Sequence, residues 1–354
     1  MRTVLITGAA GFIGSAMVRL LRAERPDWRL VSLDRLHGVG GSTANLEGTG
    51  GEGHRLVRGD IADEALVREL FEAEAIDTVL HLAAETHVDR SIAGPGAFVR
   101  SNVLGTWVLL EAARQVWAGD RATRFHQVST DEVFGDRGQD SNVAHEDSAF
   151  APRSPYAASK ASADHLVRSY QHTWGLPVSF SWSCNNLGPR QHPEKLVPFC
   201  ILRALSGQDL PLYGDGRQIR RWLHVEDHCR AILAVLEAPG QGLGYAVGPL
   251  DGTENLDLVR RLCSLLDLRR PAAAPHAARI CHVADRPGHD RVYHTAADRI
   301  RAELGWEPRY NLDQALEQTL DWYLENPDWL ARVGRGEDFR RWVEAWYAGR
   351  GGAG

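Results

Sequence analysis

The sequence predicts an α/β protein: a doubly wound parallel sheet, with a smaller α/β domain in the C-terminal part. Three observations carry this expectation. Short apolar runs alternate with longer amphipathic stretches through the first half, a glycine-rich turn follows the first run, and the alternation weakens beyond roughly Pro189. The runs are Val4 to Ile6, Leu30 to Leu33, His54 to Val57, Thr78 to Leu82, Phe125 to Val128 and Val178 to Phe180. Strand, helix, strand in repetition marks a parallel sheet covered on both faces. Between them, Ala97 to Ala113 sets Phe98, Val99, Val103, Leu104, Val108, Leu109 and Ala112 near a helical period, which predicts a helix.

Gly38 to Gly53 and Leu210 to Gly216 read as loops, Ser148 to Pro155 as a proline-punctuated one, Pro271 to Pro275 as a linker and Gly349 to Gly354 as a frayed tail. The expected domains are residues 1–188 and, mainly, 189–354, with part of 220–250 free to return to the first.

Composition bounds the function. An apolar share of 44% and a charged share of 24% are those of an ordinary globular protein. The formal net charge of -6 argues against a nucleic-acid partner, so any bound phosphate must meet local donors. Cys184, Cys200, Cys229, Cys263 and Cys281 lack C-x-x-C spacing or a nearby His pair, so neither a metal site nor a disulfide framework is expected. The chain opens on Thr3-Val-Leu-Ile-Thr7, which leaves no room for a leader, and no apolar run approaches the roughly 18 residues that cross a bilayer. These features point to a cytoplasmic protein without a membrane partner.

Gly8-Ala-Ala-Gly11-Phe-Ile-Gly14 follows the first strand and opens the first helix, with Asp34 ending the second strand. Such glycines allow a tight turn and close approach to a pyrophosphate, whose charge meets free amides at the helix N-terminus. A carboxylate in the place of Asp34 accepts hydrogen bonds from an adenosine ribose. The pattern makes the sheet Rossmann-like. Asp34 favours NAD over NADP by repelling a 2′-phosphate, although Arg35 beside it could receive one, and Asp34 as a mere turn cap is the blander alternative.

Tyr156-Ala-Ala-Ser-Lys160 opens an apolar-periodic helix and places two side chains one turn apart on one face. An ammonium near a phenol, with a cationic cofactor ring beside it, is expected to favour phenolate and make Tyr156 a usable base.

Val128-Ser-Thr-Asp-Glu-Val-Phe-Gly135 resembles the signature of the dTDP-glucose 4,6-dehydratases, within the extended short-chain dehydrogenase/reductase superfamily. The resemblance spans nearly the whole chain. It includes His81-Leu-Ala-Ala-Glu-Thr-His-Val-Asp-Arg90, Ser154-Pro-Tyr-Ala-Ala-Ser-Lys160, Asn185-Asn-Leu-Gly-Pro189, His192-Pro-Glu-Lys-Leu-Val-Pro198, Leu212-Tyr-Gly-Asp-Gly216 and Arg286-Pro-Gly-His-Asp290.

The resemblance implies a chemistry. Thr130 would hydrogen-bond the sugar 4-hydroxyl, Tyr156, supported by Lys160, would remove its proton, and NAD would take the C4 hydride. Glu132 would then act as base at C5 while Asp131 protonates the departing 6-hydroxyl, and the hydride would return to C6. Crowded carboxylates suit a step that needs an acid beside a base. The cofactor, recycled within each turnover, would copurify. A solvated strand end or helix cap is the blander reading of Asp131-Glu132.

By the same resemblance the cofactor would also meet Gly8, Gly11, Phe12, Ile13, Gly14, Asp34, Arg35, Asp60, Ile61, Leu82, Ala83, Ala84, Thr86 and Asn102. The nucleotide sugar would meet Glu85, His87, Asn185, Asn186, Glu194, Lys195, Leu196, Asn255 and His289, with Arg220 and Arg291 on its pyrophosphate and Pro211 and Tyr213 against its base. A homodimer through a four-helix bundle of helices such as Phe98 to Arg114 and Tyr156 to Trp174 is implied too.

Phe134, Leu187 and Arg221 depart from the family pattern, as does His37-Gly38, and Leu187 and Arg190 flank the expected substrate approach. The alternatives left open are a UDP-sugar 4,6- or 5,6-dehydratase, a 4-epimerase, and a non-catalytic NAD-binding regulator on the same scaffold.

Overall fold

The computed structural model describes residues 2–36, 40–117, 122–138, 143–238, 240, 242–334, 337–348 and 350. Seven strands form one parallel sheet: β1 (Thr3–Thr7), β2 (Arg29–Asp34), β3 (His54–Arg58), β4 (Thr78–His81), β5 (Arg124–Thr130), β6 (Val178–Ser183) and, much later in the chain, Leu243–Val247. The last strand lies outside β6, and the spatial order runs Leu243–Val247, β6, β5, β4, β1, β2, β3. Every pairing is parallel. The continuously buried faces of β1, β4 and β6 explain why these strands read as unbroken apolar or small-residue runs.

Helices α1 (Phe12–Glu24), α2 (Glu64–Glu74), α3 (Val88–Ala93), α4 (Gly96–Phe98), α5 (Gly105–Trp117) and α6 (Pro155–Trp174) connect these strands. Phe71, Leu109, Phe125, Val167 and Phe180 fill the core on one face of the sheet, and Ile6, Met17, Leu30 and Ile232 fill the other. The strand order reverses between β1 and β4, which opens a crevice at their C-terminal ends.

The C-terminal part adds α7 (Leu196–Leu205), α8 (Val225–Glu237), α9 (Asn255–Arg269), α10 (Asp298–Leu304), α11 (Leu312–Glu325), α12 (Pro327–Gly334) and α13 (Glu337–Ala348). Leu258, Leu262, Leu266, Leu316 and Tyr323 build its own core. Asn45 ties this layer to the glycine turn, since its amide nitrogen donates to the Ala10 carbonyl at 2.8 Å while its oxygen accepts from Trp329 Nε1 at 2.9 Å. Among the described residues no helix is long and apolar enough to cross a membrane.

Three local readings need correction. Leu210 to Gly216 is not all loop, because Leu210–Tyr213 is a strand paired in parallel with Ile280–Val283. The predicted helix Ala97 to Ala113 is helical throughout but widens to a π-helix over Val99–Leu104 before α5. Leu187 is fully buried in the C-terminal core, and the Arg190 guanidinium lies over the Trp322 ring, so neither lines the cavity beside the glycine turn. His37-Gly38 and nearly all of the expected frayed tail fall outside the described residues.

Backbone geometry sets the glycine turn. Gly8 has φ +69°, and a Cβ there would stand 2.7 Å from the Ala83 backbone; a Cβ on Gly14 would stand 2.1 Å from the Gly8 carbonyl oxygen. Gly14→Ala must therefore push β1 and α1 apart, and we expect a loss of roughly 1–3 kcal/mol in stability together with loss of copurified dinucleotide. Denaturant unfolding and the absorbance of released cofactor measure the two effects.

Candidate functional site

The crevice is a cavity of about 350 Å³ that runs from the glycine turn to the end of β6. All the sequence-predicted cofactor residues except Asn102 line it. At one end, α1 starts at Gly11 with no side-chain cap, so its first-turn amides face the cavity. Asp34 is held in place by the amides of Ala10 and Leu36, at 2.9 and 2.8 Å, which leaves lone pairs on each oxygen for a diol. Arg35 is paired with Glu85 at 2.6 Å and approaches Asp60 at 3.9 Å, so carboxylates already engage its charge. This donor and acceptor set fits an NAD adenosine and pyrophosphate. The Asn102 side chain supports the cavity from behind: it accepts from the Glu85 amide and donates to the Glu85 carbonyl and Ser159 Oγ. It does so from the π-helical turn, a local widening often found at functional sites.

The other end holds the reactive groups. Helix α6 begins where Ser154 caps the Ala157 amide and Pro155 takes the first position, which fixes Tyr156 and Lys160 over the end of β5. Lys160 Nζ donates to the Val128 carbonyl at 2.8 Å. Thr130 ends β5, and its hydroxyl accepts from the Glu132 amide at 3.3 Å as it starts the turn Asp131–Phe134. Thr130, Glu132, Tyr156 and Lys160 all line the cavity; Asp131 is buried immediately behind them, with Thr130 Oγ1 3.5 Å from its Oδ1.

Electrostatics separates the two carboxyls from ordinary surface acids. Burial first, and the Glu132 charge second, push the Asp131 carboxyl from 3.8 up to about 7. Glu132 is raised by burial too, against the positive charges of Arg286, Arg220 and Lys195. One expectation is corrected here. Burial, together with the Glu132 and Asp131 charges, raises the Tyr156 phenol despite its hydrogen bond with Thr130, so Lys160 alone does not make it a ready base.

Of the residues predicted to meet a sugar nucleotide, Glu85, Thr130, Asn185, Asn186, Glu194, Lys195 and Leu196 line the cavity. Lys195 donates to the Thr86 carbonyl at 2.8 Å, and Glu194 accepts from Arg90 at 3.1 Å. His87, Pro211, Tyr213, Arg220, Asn255, His289 and Arg291 lie outside its described lining. Each has other neighbours. Arg220 stacks on Tyr293 at 4.1 Å and donates to the carbonyls of Ile219, Asp290 and Arg291. Arg291 pairs with Asp215 at 2.7 Å, and His289 pairs with Asp285 at 2.6 Å. Tyr213 donates to Asp89, and α13 covers it, with Tyr347 stacked at 6.1 Å and Trp346 Nε1 donating to its hydroxyl at 2.6 Å. His87 meets Trp342 edge-on, at 6.2 Å, in the same helix. Pro211 sits inside the strand Leu210–Tyr213, and the Asn255 amide donates to the Gln218 carbonyl at the start of α9.

Tyr293 was not singled out from the sequence. Its hydroxyl reaches Asp290 Oδ2 at 2.9 Å and Glu132 Oε2 at 3.3 Å, which ties the base candidate to a second buried acid. The only signal was its place three residues beyond the Arg286-Pro-Gly-His-Asp290 motif.

A Rossmann-like sheet with Thr130, Tyr156 and Lys160 gathered at its C-terminal edge defines an extended short-chain dehydrogenase/reductase. The family profile described as GDP-mannose 4,6 dehydratase matches residues 5–319. A dTDP-glucose 4,6-dehydratase of Xanthomonas campestris pv. campestris is 48% identical over 342 positions, covering 94% of this chain and 96% of the relative. The dTDP-glucose 4,6-dehydratase DesIV of Streptomyces venezuelae, solved with NAD and TYD bound, superposes with a TM-score of 0.84 at 42% identity, over 92% of this chain and 98% of that one. The Bacillus anthracis dTDP-glucose 4,6-dehydratase in complex with NAD superposes at 0.84 with 35% identity, over 94% and 100%. The chain belongs to the dTDP-glucose 4,6-dehydratase family.

The raised Asp131 carboxyl has a consequence for folding. A folded-state pKa above the unfolded value means stability is full below 3.8 and declines as pH rises to about 7. Asp131→Asn should therefore be more stable than the parent at pH 8, by on the order of 1–3 kcal/mol, and no more stable below pH 3.8, where the carboxyl is protonated in both states. Unfolding curves at the two pH values test this.

Proposed function

We propose that the chain is an NAD-dependent hydro-lyase that converts dTDP-glucose to dTDP-4-keto-6-deoxyglucose. The observation that carries the reading is the meeting of Thr130, Glu132, Tyr156 and Lys160 around one cavity, with a proton-holding Asp131 behind them. NAD, held by the glycine turn and Asp34, would supply the hydride acceptor for C4 and the hydride donor for C6.

The chain's own groups do the rest. The Thr130 hydroxyl orients the 4-hydroxyl, and Tyr156, as the phenolate that the Lys160 ammonium stabilises, takes its proton and becomes the phenol. The resulting ketone acidifies C5–H. Glu132, beside the cavity and flanked by Arg220 and Arg286, removes that proton. Asp131, protonated up to about pH 7, gives its proton to the 6-hydroxyl as water leaves. Lys195, with the first-turn amides of α7, and Asn185 meet the pyrophosphate. A base stacked on Tyr213 requires α13 to give way.

This reading carries with it a cytoplasmic location, where nucleotide sugars and NAD are made. It also carries a homodimer through the helices Phe98 to Arg114 and Tyr156 to Trp174. Val99, Leu104 and Trp174 stand exposed on these helices and support such a bundle. Light scattering of the purified protein should give twice the chain mass; a single-chain mass refutes the dimer.

Purified protein given dTDP-glucose, without added NADH, should yield a product lighter by one water and bearing a C6 methyl group, read by mass spectrometry and NMR. No conversion would overturn the assignment. Glu132→Gln should keep its copurified NAD and lose about a hundredfold in turnover, the scale of a lost general base.

A further inference from the structure

Asp164 is a fully buried carboxylate that the chemistry above leaves unused. It lies one helical turn beyond Lys160 on α6. Three donors converge on it: Ser129 Oγ at 2.7 Å and Trp182 Nε1 at 2.9 Å on Oδ2, and Gln127 Nε2 at 3.2 Å on Oδ1. Gln127 and Ser129 flank Val128, whose carbonyl receives Lys160 Nζ at 2.8 Å, and Thr130 follows directly. A buried ion costs several kcal/mol unless it is paired and hydrogen-bonded. Asp164 and Lys160 are two such groups of opposite sign, buried one helical turn apart on α6.

We propose that Asp164 is a positioning residue of the catalytic cluster: its carboxylate keeps the Lys160 ammonium charged beside Tyr156 and fastens the end of β5, and with it Thr130, to helix α6.

The other titratable groups facing this spot are few. Tyr156 shares α6; His81 at the end of β4 is held neutral by burial, down to about 3, between Thr7 and Thr106; Asp131 and Glu132 sit in the turn after β5 and, more strongly than Asp164 itself, raise the Tyr156 phenol. The carboxylate whose charge opposes the loss of the Lys160 proton on burial is Asp164. An ammonium that lost its proton could not stabilise a phenolate, so the first proton transfer depends on this pair.

The inference rests on the dehydratase reading, and the test separates the two. Asp164→Asn removes the charge and little else: Gln127 Oε1 is without a hydrogen-bond partner, so a flip of that amide lets it accept from the new Asn Nδ2. In a Glu132→Gln background dehydration stalls, and C4 oxidation is read directly as NADH absorbance after rapid mixing with dTDP-glucose. Adding Asp164→Asn should slow NADH formation at least tenfold at pH 7 and move the alkaline limb of its pH profile at least one unit lower, with cofactor still bound. An equal rate, or a slower one with an unmoved limb, would overturn the proposal. No NADH in the Glu132→Gln parent would instead overturn the dehydratase reading.

Lys160→Met gives a second arm that needs no Asp164 variant to fold. With its partner gone, the Asp164 carboxyl must rise, so this variant should lose stability relative to the parent as pH increases from 5 to 9. A stability difference independent of pH counts against the pair.

Discussion

Charge held out of water is the constraint on which this structure depends. Asp131, Asp164 and Asp290 are almost wholly buried, Lys160 is buried with them, and Glu132 joins them at the rim of the cavity. Asp131 meets this constraint by holding its proton up to about pH 7, and for the others the fold supplies compensation from distant segments: Ser129 and Trp182 for Asp164, Arg153 for Asp290, and the fields of Arg220 and Arg286 for Glu132. A parallel sheet suits this task because its strand ends converge at one edge, where backbone polarity and short loops bring such groups together without opening the core.

What was legible in the sequence was local. The glycine turn, the Asp34 carboxylate and the helix that opens at Tyr156 are each specified within a few residues of backbone, and a linear reading reaches them. The strand Leu210–Tyr213 was missed because its pairing partner, Ile280–Val283, arrives 70 residues later by register, and because Pro211 inside it resembles a loop signal. The Tyr293 contact with Glu132 spans 161 residues and leaves no local trace. The expectation that Lys160 and a cationic cofactor ring would lower the Tyr156 phenol left out burial and the carboxylates of Glu132, Asp131 and Asp164.

The departures from the family pattern divide in the same way. Phe134 is buried edge-on against Phe150 and Trp182, in an aromatic cluster. Arg221 is satisfied by the carbonyls of Leu250 and Tyr293 and adds a positive charge near Asp131. Nothing in the structure explains Leu187 beyond its place in the C-terminal core. The substitutions alter what surrounds the reactive groups and leave the groups themselves in place.

The Asn45 amide has a wider meaning than its two hydrogen bonds. As a rivet between the dinucleotide turn and the Trp329 segment, it makes the two layers yield together or not at all. The first loop and the far end of the chain thereby share one fate. A change in the Trp329 segment reaches the first loop through Asn45 and through the Arg332–Glu47 pair beside it.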